Sequence, residues 1–439
     1  MVFIHLLYRA NFIHLMKSNL NRLGKELLLV GFGQAAAAVG SIVGVRLMTG
    51  ALSPEAYGEV ALAITFVTLI TQILIGPLSV SLTRFYNFAL EKNELPGFLG
   101  SSIALLIQIS LATLLIFTLG GVFLWLSGQA VYLSLVVFTL AFALVSGVNV
   151  LLDSLQTAAR QRAVVAWHQG LGQWLRYLAA VALILLLGKT PTTALAGYAL
   201  AALLILGSQL YFFKKKLPAV SLLRLQPDAG WTARILKYAV PFASWGIFTW
   251  LQLSSDRWAL QTFSGTQDVG FYTVLYQLGY YPLMMVANVF AQFVEPVLFR
   301  QAGDGTQPER IERAQRNTRR LLLGAFMLVA LAVAAAAVLH PLVFAWFAAP
   351  AYRSVSGLLP IMVLSGGTFA CGQIASMTQL NRGESQALLW PKITTGIAGT
   401  AFNWIGAAWL GLPGVVYAGA IFSILYLVWL MLLQRRHSR

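Results

Sequence analysis

The chain is a series of long apolar stretches separated by short polar or charged segments. A helix needs about 20 apolar residues to cross the roughly 30 Å hydrocarbon core of a bilayer, and its backbone hydrogen bonds must close inside the segment. Stretches of about this length lie at 27–49, 59–82, 98–126, 130–152, 164–187, 192–213, 238–263, 269–294, 320–347, 356–380, 388–410 and 413–433. The pattern therefore predicts an all-α polytopic membrane protein with about 12 transmembrane helices.

Composition supports this fold class. Apolar residues make up 58% of the chain and charged residues only 10%, whereas a typical soluble domain has about 25% charged residues. A soluble globular protein is therefore excluded. The single cysteine, Cys371, cannot form an intramolecular disulfide, and the five histidines belong to no Cys/His cluster. We expect no metal site and no cofactor.

The formal net charge of +16 would suit a nucleic-acid-binding protein, so the placement of the charges decides what it means. With the N-terminus inside, 25 of the 30 Lys and Arg residues, Lys392 among them, fall in cytoplasmic segments. The opposite face holds only Lys189 and Arg353. This is the positive-inside distribution of membrane proteins. We expect a bacterial cytoplasmic (inner) membrane protein with both termini in the cytoplasm and no nucleic-acid partner.

The longest charged linker divides the spans into two groups of six. The first span is followed by eleven more, so it is expected to be a signal-anchor that stays in the protein. The segment before it is either an interfacial helix or an over-extended start before a true initiator at Met16. The predicted division is a cytoplasmic segment at 1–25, an N-lobe at 26–213, a basic linker at 214–237, a C-lobe at 238–433 and a basic tail at 434–439.

A faint internal repeat relates the two groups. Arg46 precedes by a dozen residues Gly58, which opens the second span, and Arg257 similarly precedes Gly270 in the other half. Six helices precede span 7 and six begin with it, so both copies enter from the same side of the membrane and the repeat is parallel. The sequence thus predicts two six-helix lobes related by a parallel repeat.

Charged and amide side chains inside span 5 indicate a wet interior. An ionised group at mid-bilayer costs about 2.5 to 3.5 kcal/mol on insertion scales, so it usually faces protein or water. At about 100° per residue, Gln169, Gln173 and Arg176 fall within roughly 60° of one another on the helix surface. This polar stripe favours a hydrated lumen. The alternative is a structural arginine satisfied by helix carbonyls.

Span 7 has a second polar face, formed by Thr249, Gln252 and Asp256. Arg257 lies about 100° away, so we expect Asp256 and Arg257 not to neutralise each other directly and to find partners elsewhere. The alternative is a structural ion pair that fixes the register of the helix. Arg46, near the outer end of span 1, either faces the interior or snorkels to the lipid headgroups.

Each half contains its own short motifs: Arg46-Leu47, Leu52-Ser53-Pro54-Glu55 and Tyr57-Gly58 in the first, and Lys237-Tyr238-Ala239-Val240-Pro241, Ser255-Asp256-Arg257 and Val269-Gly270-Phe271-Tyr272 in the second. With these motifs the chain resembles polysaccharide-biosynthesis flippases of the multidrug/oligosaccharidyl-lipid/polysaccharide exporter superfamily. The resemblance implies two lobes around a central cavity that opens alternately to either side. The implied cargo is an oligosaccharide joined by pyrophosphate to a polyprenyl lipid, such as an O-antigen or exopolysaccharide repeat unit. Implied partners are the lipid bilayer, H+ or Na+ as coupling ion, and a polysaccharide polymerase with its chain-length regulator.

The residue chemistry fits such a cargo. Arginine keeps its charge at ordinary pH and binds phosphate oxygens in a two-pronged way, while glutamine amides suit sugar hydroxyls. The candidate substrate-binding residues are Arg176, Arg46, Arg257, Gln169, Gln173 and Gln252. The candidates for binding the coupling ion are Asp256 and His168. Three tryptophans either stack on sugars or act as packing and interface anchors: Trp174, Trp245 and Trp250.

A multidrug exporter of the same superfamily is the nearest alternative. Its cargo is commonly cationic and favours an acidic cavity, whereas here Arg46, Arg176 and Arg257 outnumber Asp256 inside the spans. A peptidoglycan-precursor flippase also fits the charge, but it would resemble a chain of fourteen spans.

A membrane-embedded glycan ligase or polymerase is an alternative of another class. Such an enzyme needs acid/base groups in a loop or cavity. The longest outside loops, near 50–58 and 348–355, contain only Glu55 and Arg353 as ionisable residues. We therefore predict a transporter and not an enzyme.

Overall fold

The computed structural model describes residues 31–216, 226–302, 307–380 and 385–436. The predicted N-terminal segment 1–25, with the choice between Met1 and Met16 as the start, lies outside the described residues. So do residues 217–225 of the basic linker and 437–439 of the tail.

Twelve long helices account for most of the described chain, and no strand occurs in it, so the all-α prediction is confirmed. Among the described residues, nine helical stretches, all but those at α7, α8 and α11, are long and apolar enough to cross a membrane by length and composition. The helices are α1, Gly31–Ala51; α2, Pro54–Glu91; α3, Leu95–Leu126; α4, Leu133–Ala158; α5, Arg162–Leu187; α6, Pro191–Lys216; α7, Ala229–Phe263; α8, 266–302; α9, Pro308–Phe347; α10, Leu359–Leu380; α11, Leu389–Leu410; and α12, Leu412–Arg436.

The helices pack as two lobes with the same internal arrangement. In the first lobe α4 and α5 both pack on α6, and in the second α10 and α11 both pack on α12. In the first lobe α1 also packs on α5, where Gly33 contacts Ala166, and in the second lobe α7 packs on α11 in the same way. Small residues allow this close approach, since Gly197 lies against Ala180 just as Gly406 lies against Gly414. Each contact recurs six helices later, as a parallel six-plus-six repeat requires.

The two ends of the bundle differ in charge and in loop geometry. We call the end that holds the connections 92–94 and 159–161 the basic end, because most Lys and Arg residues lie there in the sequence. At the opposite end several connections turn at glycines with positive φ, a conformation that L side chains rarely adopt. These glycines are Gly128, Gly188, Gly265 and Gly411.

The lobes contact each other mainly through α2, which packs against α8 and α7. Both α2 and α8 contain a π-helical turn, at Thr71–Ile75 and Tyr276–Tyr280 respectively. Such turns interrupt the regular hydrogen-bond ladder and often occur at functional sites. At the basic end, Trp231 at the start of α7 packs against aromatic side chains of α2 and α3. At the opposite end, Gly58 and Gly270 bring the backbones of α2 and α8 into contact.

Candidate functional site

Four adjoining cavities lie inside the bundle; among the described residues, two of them are lined by both lobes and two by helices of the C-lobe alone. The N-lobe cavity has a volume of about 290 Å³, the central cavity about 280 Å³ and the C-lobe cavity about 370 Å³. A small cavity of about 50 Å³ lies beside Asp256. Tyr198 and Tyr281 line both the N-lobe and the central cavity, and Leu253 lines both the central and the C-lobe cavity. These shared walls make the cavities parts of one interior site.

Arg176 of α5 lies on the wall of the N-lobe cavity, together with Gln169 and Gln173. Its guanidinium carbon is 5.3 Å from the ring centre of Phe142 and 5.7 Å from that of Tyr198. Within the described part of the chain it forms no ion pair and no hydrogen bond. The three residues of the polar stripe thus share the cavity wall, and aromatic rings, not carbonyls, hold the arginine.

Asp153 of α4 lines the same cavity and was missed by the sequence analysis. Its carboxylate accepts hydrogen bonds from Gln209 Nε2 at 2.7 Å and from Gln169 Nε2 at 3.4 Å. Gln34 Nε2 in turn donates to Gln169 Oε1 at 3.0 Å. The apolar stretch of the sequence ends at residue 152, just before Asp153. The helix continues to Ala158 and carries the carboxylate into the interior.

His168 is buried in α5, with only 2% of its surface exposed. Its Nδ1 lies 2.8 Å from the Val164 carbonyl oxygen and its Nε2 lies 2.9 Å from the Ser208 hydroxyl. A carbonyl oxygen can only accept, so Nδ1 carries the hydrogen. A neutral imidazole whose Nε2 accepts from Ser208 satisfies both contacts. Binding of a coupling ion by His168 stays a prediction.

Asp256 and Arg257 form a direct ion pair, so the prediction that they would not neutralise each other is wrong. Arg257 Nη1 lies 3.3 Å from Asp256 Oδ1 and donates to the Leu253 carbonyl at 2.7 Å. Long side chains in a helix point back over the preceding turn. The side chain of Arg257 therefore folds back along α7 and reaches Asp256, although adjacent residues leave the helix in different directions. The other carboxylate oxygen of Asp256 accepts from the Tyr272 hydroxyl at 2.6 Å.

Arg257 still reaches the interior site. It lines the central cavity, with its guanidinium carbon 5.0 Å from the ring centre of Tyr276. Gln252, one turn earlier in α7, lines both the C-lobe cavity and the small cavity beside Asp256. Helix α7 therefore contributes side chains to three of the four cavities.

Lys392 lines the C-lobe cavity, although the sequence analysis assigned it to a cytoplasmic segment. Its ammonium nitrogen lies 4.7 Å from the ring centre of Trp245. Lys392 lies within α11, one turn from the start of the helix at the basic end. A lysine near a helix terminus looks like a loop residue in the sequence, and only the packing of α11 against α7 turns it inwards.

Arg46 lies at the opposite end of the bundle and lines none of the four cavities. Its Nη1 donates to the Ala348 carbonyl oxygen at 2.6 Å, across the contact between the lobes. Two of the three candidate tryptophans are packing residues, because Trp174 donates to the Ala36 carbonyl and Trp250 to the Thr65 carbonyl. Of the three, Trp245 lines a cavity.

The four cavities together have a positive balance of charged side chains. Among the described residues that line them, Arg176, Arg257 and Lys392 are basic, and Asp153 and Asp256 are acidic. The pairing of Asp256 with Arg257 leaves Arg176 in the N-lobe cavity and Lys392 in the C-lobe cavity, with Asp153 as the remaining acid. The balance predicted from the sequence has the same sign but rests on different residues.

A family model described as "Polysaccharide biosynthesis protein" matches residues 23–301. The chain therefore belongs to the polysaccharide biosynthesis protein family. No curated protein sequence matches it significantly.

Solved structures of similar fold include transporters and a flippase. The lipid II flippase MurJ, in an inward closed conformation, gives a TM-score of 0.69 at 13% identity, covering 93% of this chain and 87% of that one. A multidrug resistance MATE family transporter of the MOP superfamily, facing inward, gives 0.66 at 18% identity, covering 92% and 94%. A MOP superfamily transporter from Pyrococcus furiosus gives 0.61 at 16% identity, covering 94% and 95%. At these identities the likeness establishes the two-lobed fold.

Proposed function

We propose that the protein flips a polyprenyl-pyrophosphate-linked oligosaccharide, such as an O-antigen or exopolysaccharide repeat unit, between the leaflets of the membrane. The main support for the proposal is the position of Arg176 on the wall of an interior cavity, where it has no counter-ion among the described residues. An unpaired charge in a medium of low dielectric constant strongly attracts a ligand of opposite sign. A pyrophosphate group supplies that charge.

The surroundings of Arg176 suit both parts of this head group. The rings of Phe142 and Tyr198 hold the guanidinium plane, which leaves its edge free for two-pronged contact with phosphate oxygens. The amides of Gln169 and Gln173 line the same cavity and can donate to or accept from sugar hydroxyls. Membership of the polysaccharide biosynthesis family supports a cargo of this kind.

Alternating access would move the cargo. The lobes contact at both ends, and the N-lobe cavity is lined by residues near the basic ends of their helices, such as Gln34 and Gln209. With the basic end in the cytoplasm of a bacterium, as the positive-inside rule predicts, the cargo would enter from the inner leaflet of the cytoplasmic membrane. Both termini would then be cytoplasmic. Rocking of the lobes about their contact would expose the cargo to the outer leaflet.

Arg257, Gln169, Gln173 and Gln252 are proposed to contact the cargo, since each lines a cavity. Arg46 would act at the lobe contact instead. Asp256 remains the candidate for coupling to H+ or Na+. A polysaccharide polymerase with its chain-length regulator would use the product. The protein is proposed to carry out no bond-making chemistry of its own.

Reconstituted protein tests the role of Arg176. Purified protein is placed in liposomes with a fluorescent polyprenyl-diphosphate oligosaccharide, and flipping is measured by the loss of fluorescence to an impermeant quencher. A charge-assisted hydrogen bond contributes about 1.5–3 kcal/mol, so Arg176→Ala should slow flipping by about 10- to 100-fold. Arg176→Lys should retain more activity than Arg176→Ala. Equal rates for these two variants and the unchanged protein would refute the assignment.

Arg234→Ala is the matched control. Arg234 also lies against two aromatic rings, with its guanidinium carbon 4.8 Å from the ring centre of Trp231 and 5.3 Å from that of Phe88. It is exposed at the basic end and lines none of the four cavities. Flipping by Arg234→Ala should therefore equal that of the unchanged protein.

The multidrug exporter is kept as a second candidate because Asp153 lines the N-lobe cavity with only neutral amide partners. A cationic drug could pair with this carboxylate. Deleting the gene in its host separates the two functions. Loss of surface polysaccharide with accumulation of the lipid-linked precursor supports the flippase. Intact polysaccharide with hypersensitivity to cationic drugs supports the exporter.

A further inference from the structure

The C-lobe cavity has a different chemistry from the N-lobe cavity. Its volume of about 370 Å³ lies in the range of roughly 300–1,000 Å³ that is usual for small-molecule sites. Its wall is largely apolar and includes five aromatic side chains among the described residues. Among the described residues that line it, Lys392 carries the only charge.

Aromatic side chains form part of the cavity wall, where Phe422 and Tyr426 are themselves buried, with 8% and 1% of their surface exposed. Trp245 of α7 is 40% exposed. On the other side, Phe369, Phe422 and Tyr426 stack, with ring centres 5.7 Å apart for Phe369 and Phe422 and 6.4 Å apart for Phe422 and Tyr426. One face of a pyranose ring is covered by C–H groups and packs well against such surfaces. The cavity thus suits a ring with an apolar face.

Two amides lie where the hydroxyl groups of such a ring would need partners. The side chains of Gln252 and Gln373 line the cavity and form no hydrogen bond with another described residue. Each amide can donate through its nitrogen and accept through its oxygen. This is the capacity that sugar hydroxyls, themselves donors and acceptors, require.

Lys392 adds a charge that no described residue compensates. Its ammonium group lies over the ring of Trp245, and it has no acidic partner in the described part of the chain. Asp256, in the neighbouring small cavity, is already bound to Arg257 and Tyr272. A ligand carboxylate beside the Trp245 ring would supply the missing counter-ion.

We infer that the C-lobe cavity binds the sugar portion of the cargo and that Lys392 makes it prefer an acidic sugar, one that carries a carboxylate. The inference rests on the proposed function and divides the cargo between the lobes. The pyrophosphate lies at Arg176, whose planar fork suits phosphate, and the sugar carboxylate meets the compact charge of Lys392. The central cavity joins the two subsites.

Titrations of the full-length protein in lipid nanodiscs test this division. Three soluble probes are followed by saturation-transfer NMR: digalacturonic acid, the neutral disaccharide digalactose, and inorganic pyrophosphate. Lys392→Gln should weaken binding of digalacturonic acid by about tenfold and leave digalactose and pyrophosphate unchanged. Lys392→Arg should retain the preference for the acidic sugar. Arg176→Gln should weaken pyrophosphate and leave both sugars unchanged.

Lys215→Gln is the matched control, because Lys215 also places its ammonium over an aromatic ring, 5.8 Å from the centre of Tyr211, but lines none of the four cavities. It should bind all three probes normally. Equal affinity of the unchanged protein for the acidic and the neutral sugar, with pyrophosphate still bound at Arg176, would overturn this inference and leave the proposed function standing. Loss of pyrophosphate binding in Lys392→Gln but not in Arg176→Gln would overturn the division of the cargo. Failure of the unchanged protein to bind pyrophosphate would count against both proposals.

Discussion

Gly58 of α2 and Gly270 of α8, the two positions matched by the internal repeat, face each other across the contact between the lobes. A Cβ atom at Gly58 would overlap the carbonyl oxygen of Thr266, and a Cβ atom at Gly270 would overlap that of Pro54. The contact is reciprocal, as at an interface with two-fold symmetry. The two glycines matched by the repeat therefore lie in contact at the opposite end of the bundle. This contact between α2 and α8 closes the site there.

Alanine at Gly58 or Gly270 should separate the lobes at this end, because its Cβ has no space beside the facing backbone. We expect a cysteine placed at Gln277, which accepts a hydrogen bond from Tyr57, to react faster with an impermeant thiol reagent from that side. Flipping should fall by about tenfold or more. The native Cys371 is fully buried and should contribute little labelling.

Gly120→Ala is the control for this experiment, because no atom lies within 4 Å of the added Cβ position. It should change neither labelling nor flipping. Unchanged labelling in both Gly58→Ala and Gly270→Ala would show that the glycine contact does not hold this end closed.

Arg46→Ala should weaken the same closure by a smaller amount. The hydrogen bond from Arg46 to the Ala348 carbonyl is partly buried, and a typical hydrogen bond contributes about 0.5–1.5 kcal/mol. We expect a modest rise in labelling at position 277 and unchanged binding of pyrophosphate. Arg353→Ala, at an exposed arginine of the same end, should change neither. Loss of pyrophosphate binding in Arg46→Ala would instead support the cargo-binding role predicted from the sequence.

Asp256→Asn should destabilise the protein more than Asp153→Asn. Removing one partner of a buried ion pair costs about 3–5 kcal/mol, and Asp256 is bound to both Arg257 and Tyr272. Asp153 is bound by neutral amides, which can adapt to an amide partner. The melting temperatures of the two variants, measured in the same lipid, check this order. Equal melting temperatures would contradict it.

The coupling role of Asp256 needs a separate measurement below the melting temperature of Asp256→Asn. If Asp256 couples transport to an ion, the variant should flip cargo at a rate that no longer depends on the H+ or Na+ gradient. An unchanged dependence would leave Asp256 with a structural role.

His168→Ala should lower stability without changing the dependence of flipping on the ion gradient. Both ring nitrogens are hydrogen-bonded inside the N-lobe, and the loss of one buried partner costs about 1–3 kcal/mol. His340→Ala is a milder control, since His340 has one such contact, to Ser356. A flattened ion dependence in His168→Ala alone would support the coupling role predicted from the sequence.

The sequence determined the features that depend on neighbouring residues along a helix. The bilayer requires apolar stretches of a set length, so the twelve helices follow from the apolar pattern. The longest charged linker then divides these helices into the two lobes. Helical periodicity alone places Gln169, Gln173 and Arg176 on one face, and these residues share a cavity wall. The match between Gly58 and Gly270 likewise indicated a parallel repeat.

The tertiary structure decided which side chains meet. Arg46 and Ala348 are 302 positions apart, and no local pattern could pair them. Asp153 and Lys392 lie near helix ends, where residues can face either solvent or the interior, and only the packing of neighbouring helices turned them inwards. The Asp256–Arg257 pair depended on how a long side chain folds back over its helix. Helical geometry fixes the direction in which a side chain leaves the backbone, whereas its partner is set by long-range packing.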